Sequence, residues 1–345
     1  MATHRKIGIK DVAREADVAL STVSHVLNGS APISAEVRSR VLETAKRLGY
    51  LAHRKEKATI AALGAVLLAV VEDARPENEI NLFSWTILSA LARDCERRGV
   101  KLVPFSEPGA LQADKIIAAA RKSSVDGIII VHDDRPELLA AIGACGIPAI
   151  LVNGEDMAMQ IDSVTPGNRF AAQFATNWLI ARGHKRILHL TWGGRTTIQR
   201  RVDGFRDAFS ARALPQSDAL VLDAGGYEPR FGEAAMTRWI ADKGGLDGVT
   251  ALFCAADNLA IGAMRALTRA GFGIPRDISV MGFDGVSLGE LTSPPLTTMT
   301  APLEHIGPAS LNLLEQRVAL QDAKRPAHRL ELGCRIVERE SAAAI

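Results

Sequence analysis

The sequence is poor in cysteine and in aromatic residues and has no long apolar run. Its four cysteines (Cys95, Cys145, Cys254 and Cys334) lie far apart, with no CxxC pair and no cysteine–histidine cluster at metal-ligand spacing. We therefore expect buried, reduced thiols and no metal site. The longest apolar stretch, residues 60–71, is too short to span a bilayer, and the N-terminus is charged where a secretory signal is apolar. These absences predict a cytoplasmic protein with no membrane partner.

The sequence motifs of common enzyme classes are also missing. The chain has no GxxxxGK[ST] phosphate loop, no GxGxxG after its first apolar strand, no HExxH pair and no nucleophile elbow. We therefore predict no catalytic residues and no cofactor. An enzyme is the main alternative from another class. A transport-linked binding protein is a further alternative, but it would need a signal peptide and would lack residues 1–58.

What the sequence does contain is a large apolar fraction and an uneven distribution of charge. Hydrophobic residues make up 47% of the 345 residues and charged residues 23%, which is typical of a globular protein with a sizeable core. Residues 1–58 hold eleven Lys/Arg against six Asp/Glu, a net charge of +5, and the remainder carries −3. A basic head on a near-neutral body indicates a polyanion partner for the head alone.

Three short helical patterns fill residues 9–49, with a tight break at residues 17–19 between the first two. The exposed face that the pattern predicts for the second helix, residues 20–28, consists of Leu20 and four polar, hydrogen-bonding side chains. The four are Ser21, Ser24, His25 and Asn28. Such a face can approach base edges in the major groove, so the pattern predicts a helix-turn-helix. A three-helix packing module without nucleic acid is the alternative.

From residue 63 onward, short apolar runs alternate with amphipathic helical segments. This alternation predicts parallel sheets covered on both faces. Eight such units suffice for two doubly wound sheets or one barrel, and β-like pieces at 329–332 and 334–338 favour two lobes. The predicted domains are a helix-turn-helix head at 1–50, a hinge at 51–62 and a ligand-binding body at 63–345. Within the body, we expect the N-lobe at about 63–165 and 285–325, and the C-lobe at about 166–284 and 326–345.

Several stretches of the sequence resemble the lactose-repressor (LacI/GalR) family of bacterial transcriptional regulators. The matching stretches are 9–13, 21–29 and 48–50 in the head and 182–187, 201–205, 255–263, 275–284 and 296–298 in the body. The resemblance implies a repressor with a helix-turn-helix head and a two-lobed, periplasmic-binding-protein-like α/β body. It also implies a homodimer on double-stranded operator DNA, controlled by a small effector, a sugar or sugar derivative, bound between the lobes. Whether the effector releases or tightens DNA binding stays open.

The resemblance assigns roles to individual residues of the head. Base reading falls on Leu20, Ser21 and His25. The remaining predicted DNA contacts match phosphate-holding or flanking positions and are Thr22, Ser24, Asn28, Ser34, Tyr50 and Lys55. The hinge departs from the family pattern, because Thr59 stands where a minor-groove wedge Leu is expected. Ile60 could replace the wedge after a shift of one residue, and a flexible charged linker is the alternative.

Polar residues also gather at the predicted carboxyl ends of the body strands, where ligands of parallel sheets bind. A guanidinium donates to hydroxyl groups and carboxylates accept from them, which suits a polyhydroxylated ligand. By the resemblance, the effector contacts are Arg201, Asp284, Asn153 and Tyr227, followed by Arg195, Asp133, Phe83 and Trp85. Three of the polar or aromatic residues could have a structural role instead of contacting the effector. Asp257 could cap a helix, Asp284 could be a turn residue, and Trp85 could belong to a dimer face.

Overall fold

The computed structural model describes residues 8–28, 33–48, 50, 63–71, 82–320 and 325–345. The chain divides into two compact units between Leu63 and Gly64. The predicted hinge, with Lys55, Thr59 and Ile60, lies outside the described residues. No helix in the described part of the chain is long and apolar enough to cross a membrane.

The first unit is a three-helix head built from α1 (Ile9–Glu15), α2 (Leu20–Asn28) and α3 (Ala35–Arg47). Asp17 adopts a φ of 51° in the turn between α1 and α2, a left-handed conformation that Asp tolerates better than most residues. The hydroxyl of Ser34 caps α3 by accepting from the backbone N–H of Val37 at 3.4 Å. The buried core consists of small apolar side chains: Val12, Ala13, Ala16, Val23, Val26, Val41 and Ala45.

The second unit contains two six-stranded sheets among the described residues. The strands of the first sheet, in spatial order, are β11 (Arg329–Leu332), β5 (Asp162–Pro166), β4 (Ala149–Val152), β3 (Gly127–Val131), β1 (Ala65–Val71) and β2 (Lys101–Glu107). Those of the second are β12 (Arg335–Val337), β10 (Thr297–Thr300), β9 (Ser279–Asp284), β8 (Ala251–Cys254), β6 (Ile187–Thr191) and β7 (Ala219–Asp223). Every pairing is parallel except that of β10 with β12, as expected for a doubly wound α/β body.

Eight helices of the described body cover the two sheets. They are α4 (Leu82–Arg98), α5 (Ala113–Lys122), α6 (Pro136–Gly143), α7 (Asn168–Ala181), α8 (Thr196–Ala211), α9 (Pro229–Lys243), α10 (Asp257–Arg269) and α11 (Leu303–Leu320). The backbones of α8 and α7 are in direct contact at Gly204. A Cβ added there would lie 2.0 Å from the carbonyl oxygen of Arg169, so only glycine fits. This close approach brings the side chains of α8 next to the start of α7.

The described chain passes between the two sheets three times. It crosses after β5 into α7, after β10 into α11 (which packs on α4, β4 and β5), and between β11 and β12. The predicted lobe boundaries are therefore wrong in two places. Strand β10 pairs with β9 in the second sheet, although 285–325 was assigned to the N-lobe, and β11 pairs with β5 in the first, although 326–345 was assigned to the C-lobe. An apolar run predicts a strand, but it does not name the strand's partner.

Candidate ligand cavity and nucleic-acid interface

A cavity of about 320 Å³ lies where the carboxyl ends of strands from both lobes face each other. Its volume is at the lower end of the range for small-molecule sites, about 300–1,000 Å³. The first lobe lines it with Val71, Phe83, Ser84, His132 and Asn153. The second lobe lines it with Trp192, Gly193, Gly194, Arg195, Thr197, Ile198, Arg201, Tyr227, Ala256, Asn258 and Asp284.

Arg201, on α8, is the most firmly held polar side chain of the cavity. Its Nη1 donates to Oδ1 of Asp284 at 3.0 Å and to the backbone carbonyl of Ala255, and its Nε donates to Oδ1 of Asn168 at 2.9 Å. The guanidinium carbon lies 3.7 Å from the centre of the Phe283 ring, a cation–π contact. With 2% exposure, Arg201 is fixed before any ligand arrives.

Two buried carboxylates shape the turn after β9. Asp257 accepts from Oγ1 of Thr298 at 2.6 Å and from the backbone N–H groups of Gly285 and Val286, both at 2.8 Å. It therefore holds this turn and does not cap α10, where no side-chain cap forms. Asp284 stands at the turn's start with a φ of 116°, a strained backbone of the kind found at functional sites. Burial raises the pKa of Asp257 to about 7 and that of Asp284 to about 6, the latter despite Arg201.

A neutral hydrogen-bonded group faces these charges from the first lobe. The Nε2 of His132 lies 2.8 Å from Oγ of Ser84, and its Nδ1 lies 2.9 Å from Nδ2 of Asn153. Burial, reinforced by the charge of Arg195, lowers the pKa of His132 to about 3, so the imidazole is uncharged. The Oδ1 atom of Asn153 is buried and has no hydrogen-bond partner within the described residues. It is therefore an acceptor available to a ligand.

Arg195 lines the cavity from the residue that precedes α8. Within the described parts of the chain, its guanidinium makes no hydrogen bond or ion pair. Burial and then repulsion from Arg201 lower its pKa from the ordinary arginine value. An arginine remains charged over the whole biological pH range, so this side chain is a cation on the cavity wall that Asp284 and Asp134 attract without forming an ion pair.

Flat aromatic faces complete the cavity. The ring centres of Trp192 and Tyr227 lie 6.1 Å apart at an angle of 45°, and Phe83 lies 6.0 Å from the ring of His132. Polar groups at fixed positions between aromatic walls allow a small, partly polar molecule to be oriented and enclosed.

The second candidate site is the outer face of α2. Leu20, Ser21 and His25 are exposed, whereas Thr22 and Ser24 are half-buried. Asn28 is the last residue of α2, and its side chain is not among those described. Val23 and Val26 of the same helix point into the head core, so α2 presents outward a face that is polar apart from Leu20.

Residues 8–52 match the model of the bacterial regulatory proteins of the lacI family, and residues 176–342 match the periplasmic binding protein-like domain. The HTH-type transcriptional repressor PurR of Mannheimia succiniciproducens is 30% identical over 96% of this chain and 98% of its own length. The chain belongs to the LacI family of bacterial transcriptional regulators. It is thus a DNA-binding regulator with a ligand-binding body.

Other relatives of this LacI-family regulator support the same architecture. The ribose operon repressor of Haemophilus influenzae is 25% identical over 90% of this chain and 91% of its own. The solved CelR–cellobiose complex superposes with a TM-score of 0.70 at 26% identity, covering 97% of this chain and 100% of that one. The lac repressor dimer bound to operator and the anti-inducer ONPF gives 0.69 at 22% identity, covering 99% and 100%. The two-lobed fold predicted from the sequence is confirmed.

The structure brings six of the eight predicted effector residues into one cavity of this LacI-family body: Arg201, Asp284, Asn153, Tyr227, Arg195 and Phe83. Asp133 and Trp85 do not line it. Asp133 is held by Nε and Nη2 of Arg135 at 2.8 and 2.7 Å, and Trp85 is 49% exposed beside the start of α11. Both lie next to cavity residues in sequence but point elsewhere. Trp85 follows Ser84 on a helix, where successive side chains point about 100° apart, and Asp133 follows His132 after a strand, where successive side chains alternate in direction.

Sequence reasoning missed His132 and Ser84. His132 follows β3 directly, as Asn153 follows β4, and both have a positive φ, 69° and 52°. His132 could therefore have been predicted as a site residue from its position at the carboxyl end of a buried parallel strand. Ser84 stands one turn into α4 and carries no comparable signal.

The head residues predicted to contact DNA are placed differently from one another. Leu20, Ser21 and His25 share the exposed face of α2. Ser34 is exposed and caps α3, whereas Tyr50 is half-buried and packs against the head core. Lys55 lies outside the described residues, so its contact stays a prediction from the sequence.

Proposed function

We propose that this regulator reads operator DNA with Leu20, Ser21 and His25 and that a carbohydrate effector in the cavity between the lobes controls operator binding. The observation that carries the proposal is the convergence of Arg201, Asp284 and Asn153, from both lobes, on one aromatic-walled cavity. Donors and acceptors at fixed positions match the hydroxyl groups of a sugar, and aromatic rings match its apolar faces. The likeness to the cellobiose-bound regulator supports the same ligand class.

Control by the effector follows from where Arg201 is anchored. Its partner Asn168 begins α7, directly after the crossover from β5, and also donates to Oγ1 of Thr165 at 3.1 Å and to the carbonyl of Pro166 at 2.9 Å. A ligand bound to Arg201 in the second lobe and to Asn153 in the first therefore favours one relative position of the lobes. It can shift that equilibrium only by its differential affinity, and allosteric coupling is typically about 1–3 kcal/mol.

We also propose that the cavity binds its ligand without chemical change. Ser84, His132 and Asn153 stand in a row that resembles a nucleophile, its base and an orienting group. A general base must have a pKa near the working pH, and burial holds that of His132 at about 3. The row therefore orients a ligand and does not activate the serine.

The proposal predicts a defined binding response in the full-length protein, acting as a homodimer. Operator sequences are first selected from random DNA, and affinity is then measured by fluorescence anisotropy with and without a panel of sugars. An active sugar should bind at least about tenfold more weakly to Tyr227→Ala and Asn153→Ala, because stacking and a buried hydrogen bond are lost. The matched control Trp85→Ala, an aromatic outside the cavity, should bind it like the parent. Equal loss in the control would contradict the assigned cavity.

A further inference from the structure

The described residues that line the cavity carry one more positive than negative charge. Three of them are charged: Arg195, Arg201 and Asp284. Asp284 is already engaged by Nη1 of Arg201 at 3.0 Å, and His132 is uncharged. Among the described residues Arg195 therefore has no ion-pair partner, and its half-buried side chain lines a cavity of about 320 Å³. A charge that is partly withdrawn from water without an ion-pair partner is costly, so a site with this composition favours a ligand that supplies an anion.

The surroundings of Arg195 strengthen this preference. Asp284 and Asp134 act on its guanidinium at a distance, but neither forms an ion pair with it. Thr197 and Asn258, in the first turns of the long helices α8 and α10, line the cavity. The N-cap residues of these helices, Arg195 and Ala256, make no side-chain cap hydrogen bond, and helix N-termini carry partial positive charge that favours an anion.

An acceptor for the rest of the ligand lies on the other lobe. The free Oδ1 of Asn153 belongs to the first lobe, whereas Arg195 follows β6 in the second. A molecule that reaches both needs an anionic group at one end and hydroxyl donors at the other. The small volume and the rings of Phe83, Trp192 and Tyr227 limit it to about the size of one sugar ring with its substituents.

We propose, building on the carbohydrate assignment above, that the effector is an acidic monosaccharide whose carboxylate or phosphate pairs with Arg195 while its hydroxyls donate to Asn153. A charge-assisted, bidentate contact to a guanidinium is among the strongest polar contacts available to a small ligand. A neutral sugar fills the same volume but leaves the cation unpaired. The acidic form therefore binds more tightly than its neutral counterpart.

The test compares matched neutral and acidic probes on the full-length protein without DNA, at constant ionic strength. The probes are glucose, glucuronate and glucose 6-phosphate, galactose and galacturonate, and inorganic phosphate as the minimal anion. Binding is followed by the thermal midpoint and by tryptophan fluorescence, since Trp192 lines the cavity. We expect at least one acidic probe to bind about tenfold or more tightly than its neutral partner, and inorganic phosphate to raise the midpoint. A larger response to glucuronate or to glucose 6-phosphate tells which anion the site takes.

Arg195→Gln removes the charge and keeps a hydrogen-bonding side chain, so it should abolish the preference for acidic probes. Arg206→Gln is the matched control, because Arg206 is an exposed arginine of α8, the helix that Arg195 precedes. It should keep the parent's preference. Neutral probes that bind as well as acidic ones, an unchanged preference in Arg195→Gln, or no response to any anion would each overturn the proposal. The operator assay separates the two proposals: acid binding that leaves operator affinity unchanged contradicts the proposed function alone.

Discussion

Nε of Arg200, on α8 of the second lobe, lies 3.0 Å from Oε2 of Glu155, in the loop that follows β4 of the first. The same oxygen lies 3.2 Å from Nη1 of Arg329, at the start of β11. Glu155 is 3% exposed, so the contact between the lobes rests on a buried carboxylate. Since Arg200 precedes Arg201 directly, the residue that joins the lobes and the residue that faces the cavity are neighbours on one helix.

This ion pair predicts that closure of the lobes contributes to effector affinity. Arg200→Gln should weaken effector binding by about threefold to tenfold, although Arg200 does not line the cavity, because the joined form becomes less populated. Isothermal titration calorimetry with the active effector measures the change. Arg206→Gln, the exposed arginine on the same helix, should bind like the parent. An unchanged affinity in Arg200→Gln would show that the pair does not stabilise the binding-competent form.

The buried carboxylate of Asp257 predicts a pH dependence of stability. Its pKa is about 7 in the folded body, above the usual aspartate value, so the folded state binds the extra proton. The stability from that proton is complete below about pH 4 and is lost as the pH rises through about 7. The slope per proton is at most about 1.4 kcal/mol per pH unit. Asp257→Asn should therefore flatten the fall of the unfolding free energy between pH 5 and 7.

Tryptophan fluorescence measures this transition, since Trp85, Trp178, Trp192 and Trp239 all lie in the body. Asp277→Asn is the control, because Arg276 lowers the pKa of Asp277 to about 2 and the group does not titrate in this window. The control should keep the parent's slope. An identical slope in Asp257→Asn would mean that Asp257 is already ionised in the folded protein at pH 5.

The exposed face of α2 predicts a loss confined to specific DNA. His25→Ala should weaken binding to the selected operator by about 1–3 kcal/mol and leave binding to random DNA nearly unchanged, because base contacts carry the sequence preference. Lys55→Ala removes a predicted phosphate contact and should weaken binding to both DNAs. It should also reduce the slope of log affinity against log salt concentration by about one. Anisotropy titrations at several salt concentrations separate the two effects. Equal losses on both DNAs for His25→Ala would contradict its role in base reading.

The fold was accessible from the sequence because local patterns dictate most of it. Apolar runs separated by amphipathic helices predicted the parallel sheets, and the spacing of Val23 and Val26 predicted the buried side of α2. The lobe assignment of β10 and β11 failed because a strand's partner depends on contacts far away in sequence.

For the cavity as well, sequence patterns predicted what depends on local structure and missed what depends on distant contacts. Strand ends predicted Asn153 and Asp284, which the structure brings to one cavity. Asp133 was misplaced because its direction is set by Arg135 and by the turn after β3, neither of which periodicity reports. The pairing of Arg201 with Asp284, which leaves Arg195 alone, depends on distances that no sequence pattern contains.

We propose that one cavity controls DNA binding, and the Arg201→Ala variant tests this directly. Operator affinity is measured by anisotropy across a titration of the active effector, for the parent, for Arg201→Ala and for the exposed control Arg206→Ala. Because Arg201 contacts the cavity and the crossover residue Asn168, its loss should abolish the effector response. Operator affinity without effector should stay within a few-fold of the parent, which also shows that the variant is folded. If Arg201→Ala responds at the parent's effector concentration, the assigned cavity does not control DNA binding.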